Sequence, residues 1–415
     1  MALALVIGSG AREHAIAARL ADEGWDVAVA PGNAGIARWL RCLPLSLADV
    51  AAAVKLSGEL RADLVVVGPE APLVAGMADA LSAAGRLVFG PGAAAARIEG
   101  SKAFAKEIMA EAGIPTAAHR TFDDAAAARD HARKAGGRVV IKADGIAAGK
   151  GVTVCDTVGE AEGAIEAAMV RRELGEAGAR VVLEERLEGR ELSLMALCDG
   201  RRYALLPPSQ DYKRVGDGDQ GPNTGGMGAV SPPPVAPPRT AQGLAELSIA
   251  PALDCLARRG TPFRGALYAG LMLTPDGPRV LEYNCRLGDP ETQVLMERVD
   301  GPVGEAMAAA ARGDLEGLSL GERGGAVVGV VACAPGYPQK PRLGDPIAGL
   351  AEAEALAAIR CGGVGGSRER PVTAGGRVLT AVARGRDIQE ARERAYRAVA
   401  KVAFDGMHYR RDVGR

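Results

Sequence analysis

Val139-Val-Ile-Lys-Ala-Asp-Gly-Ile-Ala-Ala-Gly-Lys-Gly-Val-Thr-Val-Cys155 is the stretch on which the reading of the fold turns. Two apolar, β-branched runs, Val139 to Lys142 and Val152 to Cys155, flank a turn with three glycines and a lysine, and both runs predict strands. The turn is not a Walker-type loop. That loop needs four residues between its glycines, Ser or Thr after the Lys, and a helix behind it; here three residues separate Gly145 from Gly149, Gly151 follows Lys150, and a strand comes next. Its physics still suits an anion, because glycine lets backbone N–H groups approach phosphate oxygens with no Cβ in the way. A plain hairpin turn is the other reading of the same residues. Lys142, between apolar neighbours at the end of the first strand, would be costly to bury without an anionic partner.

Towards the N-terminus, short apolar runs (Ala2 to Ile7, Val27 to Ala30, Leu64 to Val67, Leu87 to Phe89) alternate with Ala-rich segments, the rhythm of a parallel α/β sheet. Gly8 and Gly10 precede a helix beginning near Arg12, as in a dinucleotide fingerprint, but Glu13 stands where the third glycine belongs. That turn reads either as a tight strand-to-helix connection or as an anion site at a helix N-terminus. A second such turn is Gly68-Pro-Glu-Ala-Pro72. Ser101 caps a predicted helix through Met109, which Gly113 and Pro115 end. The strands at 139–142, 152–155 and 181–185, with a helix over Glu160 to Arg172, form a small unit that could move as a lid.

Towards the C-terminus, five prolines between Ser231 and Pro238 predict a stiff extended connection, and Ala266 to Leu273 with Arg279 to Arg286 predict a hairpin. A last module begins at Ala326, with strands at Ala326 to Cys333 and Arg377 to Ala383 and helices at Leu350 to Ala358 and Ile388 to Ala403. The fold class is α/β: an N-terminal parallel domain over residues 1–100, a central domain over 101–325 with a lid at about 118–188, and a C-terminal α+β domain over 326–415.

Composition excludes several function classes. The 415 residues carry 50 Lys+Arg against 51 Asp+Glu, so no basic excess points to nucleic acid or to an acidic membrane surface. The longest apolar runs fall far short of the ~20 residues that cross a bilayer, and the N-terminal run lacks a basic leader, so the expected location is the cytoplasm. Seven scattered cysteines, with no C-x-x-C pair, argue against disulfides and zinc. Only nine of the 50 cations are Lys, so a Lys inside a Gly-rich motif is informative: its compact ammonium is what a site between phosphate oxygens requires.

Three further constellations carry chemistry. In Val280-Leu-Glu-Tyr-Asn-Cys-Arg286, strand alternation puts Glu282, Asn284 and Arg286 on one face and Leu281, Tyr283 and Cys285 on the other. Hard oxygen ligands beside a guanidinium suit Mg²⁺ and a transferred phosphoryl group, although a solvated face with an ion pair has the same pattern. Asp289 and Pro290 then predict N-cap and first residue of a helix. Val181 to Glu191 is a strand whose following linker could meet a purine edge. Ser209 to Arg214 with Asn223 to Gly228 form a polar, Gly-rich segment that reads as a ligand cradle or as a mobile surface loop.

Taken in order, Ile7-Gly-Ser-Gly-Ala-Arg-Glu-His14, Pro31 to Gly35, Gly68 to Leu73, Gly100-Ser-Lys102, Ile141 to Gly151, Ser209 to Arg214, Asn223 to Gly228 and Asn284 to Glu291 resemble the ATP-grasp ligases. Among these they resemble the family of purine biosynthesis that joins glycine to 5-phosphoribosylamine. The resemblance runs to Tyr409-Arg-Arg-Asp-Val-Gly414 and covers essentially the whole chain. It implies an ADP-forming carbon–nitrogen ligase using ATP and Mg²⁺ (or Mn²⁺), acting on small molecules without nucleic acid, membrane or an obligate protein partner. Lys102, Lys142 and the loop with Gly145, Gly149, Lys150 and Gly151 would meet the phosphates. Glu184 and the backbone of Glu185 to Leu187 would hold adenine, Glu191 the ribose, and Glu282 and Asn284 the metal. Arg286, Lys142 and Asp211 would serve catalysis. Phosphoribosylamine would lie among Gly8, Gly10, Arg12, Glu70, Asp211, Lys213, Gly225, Gly226 and Arg286. Leu287 stands where the family usually has Phe, and Gln339-Lys-Pro-Arg342 departs from its usual pattern, so the resemblance assigns no C-terminal ligand contact. A biotin-dependent carboxylase would carry a Lys-Met carrier motif, which is absent, and a dinucleotide-dependent oxidoreductase would carry the third glycine.

Overall fold

The apolar runs of the first hundred residues become strands buried on both faces, as parallel sheets require. In the computed structural model, which describes residues 1–147, 151–234 and 240–415, the sheet comprises β1 (Leu3–Gly8), β2 (Asp26–Pro31), the short β3 (Arg41–Cys42), which is not one of these runs and is partly exposed, β4 (Leu64–Val67) and β5 (Val88–Phe89). They are all parallel, in the order β3-β2-β1-β4-β5. The order reverses at β1, so the carboxyl ends of β1 and β4, at Gly8 and Gly68, face the crevice where such sheets take ligands. Helices α1 (Ala11–Asp22), α2 (Val50–Glu59), α3 (Glu70–Val74), α4 (Met77–Ala83) and α5 (Ala93–Gly100) link the strands and lead out of the sheet. Ser101 caps α6 (Lys102–Glu111), its Oγ accepting the Phe104 N–H at 3.0 Å. Gly149, Lys150, Pro237 and Pro238, all named from the sequence, lie outside the described residues.

The lid has four strands, not three. β6 (His119–Phe122), β7 (Val139–Ala143), β8 (Val152–Val154) and β9 (Val181–Glu185) pair antiparallel in the order β6-β9-β7-β8. They cover α7 (Ala125–Lys134) and α8 (Val158–Ile165) around a core of their own that includes Phe122, Ile141, Ile165 and Leu183. Three of the four residues of β6 are exposed, so it has no apolar period to read. The helix expected to reach Arg172 keeps α geometry only to Ile165 and ends in a π turn at Val170.

Behind the lid, β10 (Arg190–Asp199), β11 (Tyr203–Leu205), β16 (Arg264–Thr274) and β17 (Gly277–Asn284) form an antiparallel sheet in the order β11-β10-β16-β17. One face packs α9 (Ala241–Arg258) in a core continuous with that of the first sheet, joining Leu5 and Val65 to Leu192 and Leu267. The other face meets α11 (Val303–Arg312), Met195 and Leu197 packing with Met307 and Ala310; α10 (Glu291–Arg298) contributes Leu295 to the same core. The last sheet takes β12 (Gln210–Asp211) and β15 (Gly228–Ser231) from the middle of the chain and adds β20 (Ala326–Cys333), β21 (Ala358–Cys361) and β24 (Arg377–Gly385), in the order β12-β15-β20-β24-β21. Three ribbons complete the strands: β13 (Arg214–Gly216) with β14 (Gln220–Asn223), β18 (Val299–Asp300) with β19 (Gly321–Glu322), and β22 (Val364–Gly366) with β23 (Pro371–Thr373). The Ala-rich segment expected as one helix splits into α12 (Leu350–Glu354) and β21, because pairing of Ala358–Cys361 with β24 outweighs alanine's helix preference; α13 (Ile388–Val399) follows β24.

Candidate active site

The site is built on β17, where a bulge decides which side chains face the cleft. Gly270 pairs with Glu282 and Leu271 with Val280, so Leu281 is an extra residue in the ladder. Strict alternation would bury Leu281 with Tyr283 and Cys285. Instead Val280, Tyr283 and Cys285 enter the core, and Leu281 lines the cleft beside Glu282. Glu282 Oε2 lies 3.3 Å from Lys102 Nζ. Burial opposes ionisation of Glu282, but the charges of Lys102, Lys213 and Lys142 outweigh it and hold the carboxyl well below the usual range. The Asn284 amide is satisfied when its NH₂ donates to Tyr283 O and Glu99 Oε1, both at 3.2 Å, which leaves its oxygen as an available ligand atom. Among the described residues no group of three or more His, Cys, Asp or Glu side chains could hold a metal. A charged oxygen from Glu282 and a neutral one from Asn284 therefore fit an ion such as Mg²⁺, which takes few protein ligands and completes its shell elsewhere.

Arg286 continues the same strand line. Its Nε donates to Glu70 Oε2 at 3.2 Å and its Nη2 lies 3.0 Å from Glu99 Oε1. Burial works against its charge, and Glu99 and Glu70 more than restore it. The guanidinium is thus fixed where β17, α3 and α5 meet.

Beside Glu282 the cleft becomes an apolar slot walled by Val140, Val152, Val154, Met272, Leu281 and Leu187. At its base Lys142 Nζ donates to Leu281 O at 2.8 Å and lies 2.9 Å from Glu184 Oε1. The other oxygen of Glu184 lies 3.0 Å from Lys106 Nζ, which also donates to Thr116 Oγ1 at 2.7 Å. Burial lowers Lys106 to about 8, although Glu184 pulls the other way. Lys106 was not singled out in the sequence, yet it lies one turn beyond Lys102 on α6, a spacing that puts both on one face. Glu185 has a different task from its neighbour: its N–H donates to Ala118 O and its Oε1 accepts the Ala118 N–H, both at 2.8 Å, pinning the start of the lid. At the open end Glu191 pairs with Lys213. The Gly-rich turn is tied to the N-terminus of α6, because Asp144 Oδ1 accepts from Ser101 Oγ (2.8 Å) and Ala103 N (3.1 Å). Gly145 and Gly151 line the cleft.

Asp211, Lys213 and Gly225 form the facing wall. Gly226 has φ +110°, and a Cβ there would stand 2.6 Å from Asp211 Oδ1 and 2.3 Å from Pro290 Cδ. The C-terminal module supplies two residues that the sequence did not reveal. Arg377 donates to Asp289 O at 2.7 Å and to Gly225 O, and its Nη2 lies 3.1 Å from Asp289 Oδ2; Tyr337 OH accepts the Gly225 N–H at 2.9 Å. Asp289 is not the helix cap expected of it: α10 begins at Glu291 after Pro290, while Asp289 Oδ1 accepts from Gln293 Nε2 at 2.7 Å.

The N-terminal turn is occupied from within. Glu13 Oε2 accepts the Gly10 N–H at 2.7 Å, Arg12 Nε donates to Glu13 Oε1 at 2.6 Å, and a Cβ on Gly8 or Gly68 would come within 2.4 or 2.1 Å of the Glu13 side chain. Gly8 and Arg12 do not line the cleft around Glu282, and Gly10 lines a neighbouring glycine-rich cavity that also reaches Asp289 and Arg377.

The chain is similar throughout its length to proteins named phosphoribosylamine–glycine ligase. That of Streptomyces coelicolor is 49% identical, covering 99% of this chain and 98% of its own, and that of Rhizobium meliloti is 45% identical with 99% and 97% covered. A crystal structure of the Thermotoga maritima protein of that name superposes with a TM-score of 0.83 at 36% identity, covering 99% of each chain. The N domain, ATP-grasp (A) domain and C domain of phosphoribosylglycinamide synthetase match residues 3–99, 100–292 and 327–415, and the chain belongs to that family.

Proposed function

We propose that this protein is an ATP-dependent ligase of purine biosynthesis that joins glycine to 5-phosphoribosylamine, releasing glycinamide ribonucleotide, ADP and phosphate. The observation that carries the reading is the convergence of Lys102, Lys142, Lys213 and Arg286 around Glu282 and Asn284, beside an apolar slot walled by Val140, Val152, Met272 and Leu281. Glycine's carboxylate resists an amine because its leaving group would be oxide. Transfer of the γ-phosphoryl group makes it a glycyl phosphate, which the amine of phosphoribosylamine attacks with loss of phosphate.

Such a transfer needs positioning and charge neutralisation more than covalent help from the protein. Mg²⁺, or Mn²⁺ in its place, held by Glu282 and Asn284 would neutralise phosphate charge. Adenine lies in the slot against Leu281 and the Arg186–Leu187 segment, with Glu184 beneath it fixing Lys142 and Lys106. Lys142 and Lys102 meet the phosphates, with Gly145 and Gly151 lining the cleft beside them, and Glu191 takes the ribose. Arg286, held rigid by Glu70 and Glu99, sits beside the transferred group. Phosphoribosylamine enters from the wall of Lys213, Gly225 and Gly226. The lid at about 118–188 excludes water from the acyl phosphate, within a central domain at 101–325 flanked by domains at 1–100 and 326–415. Among the described residues no helix is long and apolar enough to cross a membrane, and a cytoplasmic enzyme is the reading that suits this substrate set.

The test is product identity. With ATP, glycine and freshly made phosphoribosylamine the protein is expected to release ADP and phosphate in a glycine-dependent way. Release of AMP and pyrophosphate would overturn the acyl phosphate route.

A further inference from the structure

Among the described residues Glu184 is the one carboxylate held between two lysines: Lys142 Nζ stands 2.9 Å from Oε1 and Lys106 Nζ 3.0 Å from Oε2. Lys102 and Lys213 instead pair one to one, with Glu282 and Glu191. The group is buried, with Lys106 3% exposed, Lys142 5% and Glu184 2%. Two ammoniums against one carboxylate leave a surplus of one positive charge, which is costly away from water unless an anion meets it.

The two lysines are not equivalent. Lys142 and Glu184 line the apolar slot, whereas Lys106 lines neither the slot nor the cleft around Glu282. Lys106 reaches Glu184 from behind and is moored there: its Nζ donates to Thr116 Oγ1 at 2.7 Å, that hydroxyl donates to Val280 O at 2.6 Å, and the Val280 N–H donates to Pro115 O at 2.8 Å. The carboxylate holds Lys142 by charge alone. The hydrogen bond of Lys142 goes to Leu281 O at 2.8 Å, and among the described residues Glu184 Oε1 is buried with no hydrogen-bond partner in spite of the ammonium beside it.

We infer that Lys106 is a positioning residue for nucleotide binding: by neutralising Glu184 from behind, it leaves the charge of Lys142 free for the phosphates. This rests on the ligase reading, in which Lys142 meets ATP. Without Lys106, Glu184 and Lys142 would form a neutral buried pair, and a phosphate would have to compete with the carboxylate for the ammonium at 2.9 Å, a separation at which opposite charges in a poorly solvated site attract strongly. With Lys106 in place the surplus charge meets its anion when nucleotide arrives.

Calorimetric titration of Mg-ATP, without glycine or phosphoribosylamine, into wild type, Lys106→Met, Glu184→Gln and the double variant tests the assignment. Lys106→Met is expected to raise the dissociation constant at least about tenfold where Glu184 is present, the usual worth of a contact to a charged group, and less than about threefold in the Glu184→Gln background, the scatter of independent effects. A lysine that only supports the fold would weaken binding equally in both backgrounds; that result, or a Lys106→Met variant that binds as wild type does, would overturn the assignment. Wild type alone supplies a second measurement should a variant fail to fold. Lys106 faces Glu184, Lys142 and Lys102, and burial lowers it to about 8, so its charge is present at pH 7 and largely lost at pH 9. The Mg-ATP dissociation constant of the wild type should therefore rise severalfold between pH 7 and pH 9, and a flat profile would overturn the assignment. A wild type that binds no Mg-ATP at pH 7 would overturn the ligase reading itself, and that is measured before any variant is made.

Discussion

Acid should loosen the joint between the first and last modules, and His14 sets the size of the effect. His14 is 2% exposed on α1, and its Nδ1 accepts the Cys361 N–H of β21 at 2.9 Å. Burial, aided by the charge of Arg360, lowers it from 6.5 to about 3. Above pH 6.5 the ring is neutral folded and unfolded, and its titration contributes nothing. As pH falls from 6.5 toward 3 the unfolded chain takes up a proton that the folded chain refuses, so stability is lost across that window. At pH 5 the loss from this one residue is about 2 kcal/mol. Asn at this position keeps an acceptor near Nδ1 and cannot titrate. Urea unfolding at pH 7.5 and pH 5 should therefore show wild type losing about 2 kcal/mol more than His14→Asn between the two conditions, whatever the variant's stability at pH 7.5. Tryptophan fluorescence is a suitable probe: Trp39 Nε1 donates to Glu354 Oε1 of α12 at 3.2 Å, across the same joint. A difference below about 0.5 kcal/mol, the ordinary scatter of such comparisons, would show that His14 is not a neutral buried acceptor and would refute the reasoning.

Other outcomes follow from the cleft. Glu282→Gln should keep its circular dichroism and melting temperature while turnover collapses throughout a Mg²⁺ titration, because the attraction to Lys102 at 3.3 Å, about 5 kcal/mol gross at an effective dielectric of 20, is largely offset by the cost of burying the charges. Lys142→Met should weaken Mg-ATP binding measured by calorimetry, since its ammonium is already oriented by Leu281 O and Glu184. Arg377→Met should raise KM for phosphoribosylamine and leave Mg-ATP binding unchanged, because the guanidinium braces Gly225 and Asp289 and lies outside the apolar slot. Gly68→Ala should lower thermal stability by about 1–3 kcal/mol, the usual cost of overpacking, because its Cβ would meet Glu13 Oε1 at 2.1 Å.

Where one force dominated, the sequence was readable. Apolar runs buried on both faces announced β1 and β4, and Ser101 announced the start of α6. Scarcity of lysine was a stronger signal than the motif reading used: Lys102, Lys106, Lys142 and Lys213, four of nine, converge on the cleft. Arg377 had no such signal, because it is one arginine among 41 and reaches the cleft only through the pairing of β24 with β20. The outward turn of Leu281 depends on a bulge, a property of the ladder rather than of either strand alone. β6 is held by β9 and not by its own apolar pattern.

Glu13 explains why a chain that opens like a dinucleotide-binding protein uses its first sheet differently. A pyrophosphate at that turn would need the N–H groups at the start of α1 and space beside the glycines of β1 and β4. The Glu13 carboxylate takes the Gly10 N–H and fills the space against Gly8 and Gly68, while Arg12 neutralises it. The favourable interaction between an anion and a helix N-terminus is thereby satisfied inside the protein. What the crevice presents instead are carboxylates: Glu70 at the start of α3 and Glu99 near the end of α5 grip Arg286 from two sides. With Arg286 in the role proposed for it beside the transferred group, the first sheet would act on the reaction by orienting that cation, so substitutions at Glu70 or Glu99 should change turnover more than nucleotide affinity.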